Sequence, residues 1–151
     1  MIELLKISSM TLFEETALEF EPGLNCITGE TGAGKSLVIG ALTLLMGAKA
    51  GAELVRPGSD KAVVEALFTQ GDDEFVLRRE ISASGRSRCY VNGELATLET
   101  LALKAADLVQ IYGQHQYQDL LNAKEHMPIL EELAGLERAR LNTAFETLKA
   151  A

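Results

Sequence analysis

Apolar and polar positions along the chain predict a strand-rich protein with two helical stretches in its first 106 residues. Ile2 to Ile7 and Leu12 to Phe20 read as strands separated by the polar pair Ser8-Ser9, and Pro22-Gly23 then turns the chain. Leu24-Asn25-Cys26-Ile27-Thr28 is a short, mostly apolar run of the kind that fills a buried strand. Lys35 to Met46 reads as an apolar helix, closed at Gly47 by a left-handed residue. Ala62 to Phe68 and Phe75 to Ile81, rich in valine and phenylalanine, predict antiparallel strands. Ser84-Gly85 leads into a third strand, Arg86 to Val91, which ends at the turn signal Asn92-Gly93.

Further on, the pattern predicts a helix over Leu98 to Ala106, a strand over Leu108 to Tyr112 and a polar loop over Gly113 to Gln118. Asn122 and Glu125 fit a capping box, with helix continuing past Pro128 and an interruption at Gly135. Leu141, Phe145 and Leu148 follow the spacing of a coiled-coil seam, which an ordinary amphipathic helix explains equally well. The sequence stops within this helical pattern, at Lys149-Ala150-Ala151, and so reads as a truncated segment.

The candidate chemistry lies between the apolar run and the first helix. Gly29-Glu30-Thr31-Gly32-Ala33-Gly34-Lys35-Ser36 matches the Walker A spacing, four residues between the first glycine and Gly34-Lys35-Ser36. Glycines let the backbone curl so that successive N–H groups point at an anion, and the following helix adds unpaired donors and the positive end of its dipole. Lys35 is expected to reach the β- and γ-phosphates of ATP, and the Ser36 hydroxyl to ligate Mg²⁺.

Charge narrows the partners. The formal net charge of −8 makes general attraction to nucleic acid a poor fit for the whole chain. Residues 76–90 depart from this, with four arginines (Arg78, Arg79, Arg86, Arg88) against the single acid Glu80. They could touch DNA phosphates if they shared a face. Strand parity puts Arg86 and Arg88 together and Arg78 and Arg79 apart, so a solvated hairpin face with ion pairs is the preferred reading. Cys26 and Cys89 are too few for a disulfide framework or metal cluster and are expected as reduced thiols in strands. His115 and His126 have no metal-ligand spacing and are taken as structural. Without a spanning apolar stretch or a basic leader, the chain is expected to be cytoplasmic, with no membrane partner.

Several segments resemble a known family. The two opening strands and Gly23 to Gly32 resemble the N-terminal half of an SMC- or ABC-type head. Gly85-Arg86-Ser87-Arg88 leading to Val91-Asn92-Gly93, Ile111-Tyr112-Gly113-Gln114-His115-Gln116, and Leu44 to Ala50 running on to Val55-Arg56 resemble the RecN family of SMC-like bacterial repair ATPases. The resemblance implies an α/β P-loop NTPase of ABC/SMC head type, its N-terminal lobe carrying an antiparallel β subdomain (residues 1–135) and the start of a coiled coil (136–151). It implies that Gln114 contacts Mg²⁺ or the attacking water as a Q-loop residue, and that Arg56 adds positive charge near the phosphates. It also implies a role in repair and recombination of DNA double-strand breaks, a cytoplasmic location open to association with the nucleoid, and as partners the C-terminal half of the same head, a second head (a homodimer) and, through the full-length protein, DNA.

Two readings from other classes stay open, a regulatory module that binds ATP without hydrolysing it and a different P-loop enzyme such as a small-molecule kinase. No apolar strand ending in a Walker B Asp-Glu pair and no Leu-Ser-Gly-Gly signature occurs in the sequence, and Asp72-Asp73-Glu74 reads as a loop. Hydrolysis by this segment alone should therefore be negligible. A lobe whose sheet is completed elsewhere exposes strand edges and apolar faces. The isolated segment is expected to be poorly soluble unless paired with the missing half, and sedimentation at low concentration checks this; a well-behaved monomer that unfolds cooperatively would contradict it.

Overall fold

The computed structural model describes residues 1–30, 34–111 and 130. Packing divides the chain into two units, Met1–Gln110 and Ile111–Ala151, and every element below belongs to the first. The expected boundary between residues 135 and 136 lies outside the described residues, as do Gln114, the polar loop and the coiled-coil seam. Of the helix expected past Pro128, Leu130 is described, and it is helical.

Six strands form one sheet: β1 (Ile2–Met10), β2 (Phe13–Glu19), β3 (Lys61–Gln70), β4 (Asp73–Ser82), β5 (Ser87–Val91) and β6 (Glu94–Ala96). Their order is β2-β1-β3-β4-β5-β6, and each neighbouring pair is antiparallel. The register of β3 and β4 runs unbroken from Lys61↔Ser82 to Gln70↔Asp73. Period-two side chains give the sheet one apolar face, carrying Leu5 and Ile7, Val64, Ala66 and Phe68, and Leu77 and Ile81. Helix α1 (Lys35–Leu45) lays Val38, Ala41, Leu44 and Leu45 into this core, and α2 (Leu98–Leu108) adds Leu101 and Ala105. Thr97 caps α2, its hydroxyl accepting from the Thr100 N–H at 3.0 Å.

Several boundaries differ from those the sequence predicts. β1 continues through Ser8-Ser9 to Met10, and the chain turns only at Thr11, where Ser9 and Thr11 take positive φ. Asn92 and Gly93, at φ 51° and 82°, make the expected tight turn, and beyond it the short β6 pairs with β5, a strand the pattern did not reveal. Asp73 and Glu74 open β4 and are not loop residues. α2 runs to Leu108, and residues 109–111 form no strand; Tyr112 lies outside the described residues.

The largest departure concerns residues 24–28. The buried strand expected there is an exposed, unpaired segment, with Leu24 92% accessible and Ile27 also exposed. An apolar run becomes a strand only where another strand offers ladder partners, and none does so among the described residues. Cys26 is accordingly exposed and outside any strand, whereas Cys89 is buried in β5; both are free thiols.

The outer face of the sheet is polar and cross-paired. Arg78 forms ion pairs with Glu80 and with Glu65, its cross-strand neighbour, and lies over the Tyr90 ring. Lys61 meets Glu80 at 3.0 Å. Burial pushes the Glu80 carboxyl up, but hydrogen bonds and charge from Lys61 and Arg78 outweigh it and leave the group below its ordinary range. The Glu80 hydrogen bond is the leading influence on Arg78, which is held above its usual value. A carboxylate depressed in the folded state stabilises above its unfolded value, near pH ~4.3, and that stability is lost as pH falls through the folded value. Glu80→Gln should therefore flatten the loss of stability between about pH 5 and pH 3, measured by denaturant unfolding at each pH. Equal slopes in both proteins would contradict this.

Candidate nucleotide-binding site

The glycine-rich loop enters α1 through Gly34. Gly34 is the helix N-cap at φ 94°, a left-handed conformation, and its carbonyl accepts from the Leu37 and Val38 N–H groups at 2.9 and 3.2 Å. Among the described residues no side chain caps this end, and no acid stands in the first turn. An uncapped helix start with a left-handed glycine presents N–H donors and the positive end of the dipole, which suits an anion.

Lys35 draws the loop together. Its Nζ donates to the carbonyls of Gly29 and of Glu30, the latter at 2.6 Å, so the ammonium bridges from the start of the helix back to the first residues of the motif. Ser36 is exposed in the first turn of α1. Thr31, Gly32 and Ala33 lie outside the described residues. The structure thus gathers Gly29, Glu30, Gly34, Lys35 and Ser36 at one place.

Arg56 belongs to a neighbouring layer. Its backbone N–H bonds to the Ser9 carbonyl at 2.9 Å, and its Nη1 donates to the Leu12 carbonyl at 3.0 Å. A looser ion pair joins Nη2 to Glu14 at 3.7 Å. Arg56 is therefore fastened to the turn between β1 and β2. The next residue of that turn, Phe13, packs its ring against Gly34: a Cβ added there would lie 2.8 Å from the Phe13 Cζ. Arg56 and the phosphate loop thus share the β1–β2 turn as a support. Sequence pattern gives no sign of this role for Phe13.

The arginine hairpin divides into three environments. Arg78 is neutralised on the outer face, as described. Arg86 and Arg88 share a face as parity predicts, lining a shallow basin of about 340 Å³ with Lys61, Glu80 and Ser84, and neither forms an ion pair among the described residues. Arg79 is the correction to the expected solvated face: it is buried, 2% accessible, on the helix side of β4. Its Nη1 donates to the carbonyls of Leu44 at 2.6 Å and Ala48 at 2.7 Å, and its Nε to the Ser87 Oγ at 2.9 Å. Burial pulls its pKa below the usual arginine range, with Cys89 acting weakly in the opposite sense. The signal was present as an inward-parity arginine between Leu77 and Ile81.

The antiparallel sheet, the helix packed on it and the glycine loop define the fold as that of a P-loop ATPase head of SMC type. A solved Smc head from Pyrococcus furiosus, with an extended coiled coil and bound to the C-terminal domain of ScpA, superposes with a TM-score of 0.73. It is 23% identical, covering 99% of this chain and 46% of that one. The recombination mediator RecF-ATPrS gives a TM-score of 0.61 at 23% identity, over 67% of this chain and 29% of the other. Both establish the fold alone.

The chain belongs to the AAA domain family, which it matches over residues 4–149. It is similar to the N-terminal segment of the DNA repair protein RecN: 40% identical to RecN of Bacillus subtilis (strain 168) over 154 aligned residues, which cover 91% of this chain and 27% of that protein. The chain spans about a quarter of the length of the curated relatives it matches.

Gly34→Ala is expected to be doubly costly, adding about 1–3 kcal/mol of backbone strain to a clash with Phe13. Thermal or denaturant unfolding of Gly34→Ala, Phe13→Ala and the double variant checks this. The second substitution should relieve part of the cost of the first; strict additivity would show that the ring does not press on the loop.

Proposed function

We propose that this chain is the Mg²⁺·ATP-binding lobe of an SMC-like ATPase head that acts in repair and recombination of DNA double-strand breaks. The observation that carries the reading is the uncapped, acid-free start of α1 behind a left-handed Gly34, with the Lys35 ammonium drawn over Gly29 and Glu30. Gly29, Glu30, Thr31, Gly32, Ala33, Gly34 and Lys35 would wrap the phosphates, Lys35 exchanging its two carbonyl partners for phosphate oxygens. Ser36 would offer its hydroxyl to Mg²⁺, with Gln114 as a further ligand or water-positioning group. Such an ion would arrive with the nucleotide, held by one or two protein groups and by phosphate oxygens. Arg56, held on the β1–β2 turn beside Phe13, would supply charge near the phosphates.

The Walker B acid and signature motif would come from the C-terminal half of the head and from a second head, the two lobes being joined through a coiled coil that begins near residue 136. The exposed apolar run at residues 24–28 supports that completion: it has strand composition, it leads straight into the phosphate loop, and it is unpaired among the described residues. ATP would lie between two heads and hold them together until hydrolysis, which this segment alone would not perform. Contacts with DNA would belong to the complete protein. No described helix is long and apolar enough to cross a membrane.

ATP-dependent dimerisation of the head reconstituted with its second half tests the proposal. Lys35→Ala should weaken it by about 2–5 kcal/mol, the loss expected when a buried phosphate charge loses its partner. Equal dimerisation of wild type and variant, read by light scattering, would refute it.

A further inference from the structure

The end of α1 away from the phosphate loop is held in an unusual way. Its last turn closes in a Schellman pattern, with Gly47 N–H bonded to the Leu44 carbonyl at 3.2 Å and Ala48 N–H to the Thr43 carbonyl at 3.0 Å. Onto this turn Arg79 adds a charged donor, bridging the Leu44 and Ala48 carbonyls from β4. Arg79 has no carboxylate partner among the described residues, so the carbonyl end of α1 is the negative charge it faces. Its remaining contact reaches across to the next strand, where Ser87 accepts from Nε. Ser87 stands between Arg86 and Arg88, with its side chain on the face of Cys89 and theirs on the outer face.

We infer that Arg79, aided by Ser87, is a positioning residue for the phosphate loop: it locks the C-terminal end of α1 to the β4–β5 hairpin and so fixes where the helix start presents Lys35 and Ser36. The inference rests on the reading that this loop holds ATP. An α-helix of eleven residues, roughly 16 Å long, is stiff enough to carry a constraint from one end to the other. Packing of Val38, Ala41, Leu44 and Leu45 keeps α1 on the sheet, but apolar contacts tolerate sliding and rotation. Two short charge-assisted hydrogen bonds to specific carbonyls do not, because their geometry is directional. The bridge therefore sets axial position and rotation, the two degrees of freedom on which the direction of the first-turn N–H groups depends.

A purely structural tie would lower global stability while leaving the folded population's affinity for nucleotide unchanged. A positioning tie changes that affinity. The test uses the full chain at low concentration, with Mg²⁺·ATP as the probe, in wild type, Ser87→Ala, Arg79→Met and the double variant, and with Lys35→Ala as control. Ser87→Ala removes only the hydroxyl that accepts from the Arg79 Nε, and its fold is checked by a cooperative melt. The expected result is affinity weakened roughly 2- to 30-fold in the folded Ser87→Ala protein, with faster hydrogen exchange at residues 44–48. Arg79→Met should do at least as much, and the double variant no more than Arg79→Met alone.

Wild-type affinity in folded Ser87→Ala would overturn the inference, as would losses in the two variants that simply add. If Arg79→Met fails to fold, Ser87→Ala decides by itself. If wild type and Lys35→Ala both fail to bind ATP, the nucleotide reading fails. Exchange at residues 44–48 then decides the tether: acceleration in Ser87→Ala supports it, and no change overturns it.

Discussion

The architecture depends on one helix being held against an antiparallel sheet with its dipole pointed in a fixed direction. α1 carries about half a unit of positive charge at its start and of negative charge at its end. The end meets Arg79, whose guanidinium is buried among Leu77, Ile81 and the helix carbonyls. An ionised group in such a place is costly unless its donors are used. Three of its contacts are made, to Leu44, Ala48 and Ser87, so the cation and the helix end compensate each other. The start of α1 has no such side-chain partner among the described residues, and that asymmetry leaves the positive end of the helix open to an anion.

Much of this was legible in the sequence, and the reason is local. Strands β3, β4 and β5 are written as alternating or β-branched runs punctuated by Gly71, Gly85 and Asn92-Gly93, and each needs only its neighbour in the chain to pair. The left-handed Gly34 and the helix that starts at Lys35 were legible because the Walker A spacing encodes backbone geometry directly. Residues 24–28 misled because an apolar run states what a segment would do with partners, not whether the partners are present. Arg79 misled for a related reason. Composition counts it with Arg86 and Arg88, whereas its inward parity separates it from them, and parity becomes decisive only when the sheet's helix-covered face is known. Phe13 left no trace at all, since a ring pressed on Gly34 is a contact between elements far apart in sequence.

The two flanks of the loop differ in a way that bears on how the site is built. The helix flank is supported from within the unit Met1–Gln110: Phe13 presses on Gly34 from the β1–β2 turn, Arg56 fastens that turn through the Leu12 carbonyl, and Arg79 holds the far end of α1. The opposite flank, residues 24–28, has no comparable support among the described residues. Asn25 bonds locally to the carbonyls of Glu21 and Gly23, which shapes the Pro22-Gly23 turn and does not dock the segment.

This division of support follows from where each flank can find hydrogen-bond partners. A helix satisfies its own backbone, so α1 needs only an apolar floor and an anchor, and the antiparallel sheet supplies both. An extended segment cannot satisfy its own backbone, so residues 24–28, which have no ladder partner among the described residues, need another strand beside them. The groups proposed to hold phosphate, Gly34, Lys35 and Ser36, stand on the self-sufficient flank, while the lead-in to Gly29 stands on the dependent one. Under the proposed function, binding of an anion at α1 and completion of the sheet beside residues 24–28 would be separable physical steps, with Lys35, bonded to Gly29 and Glu30, as the side chain that spans them.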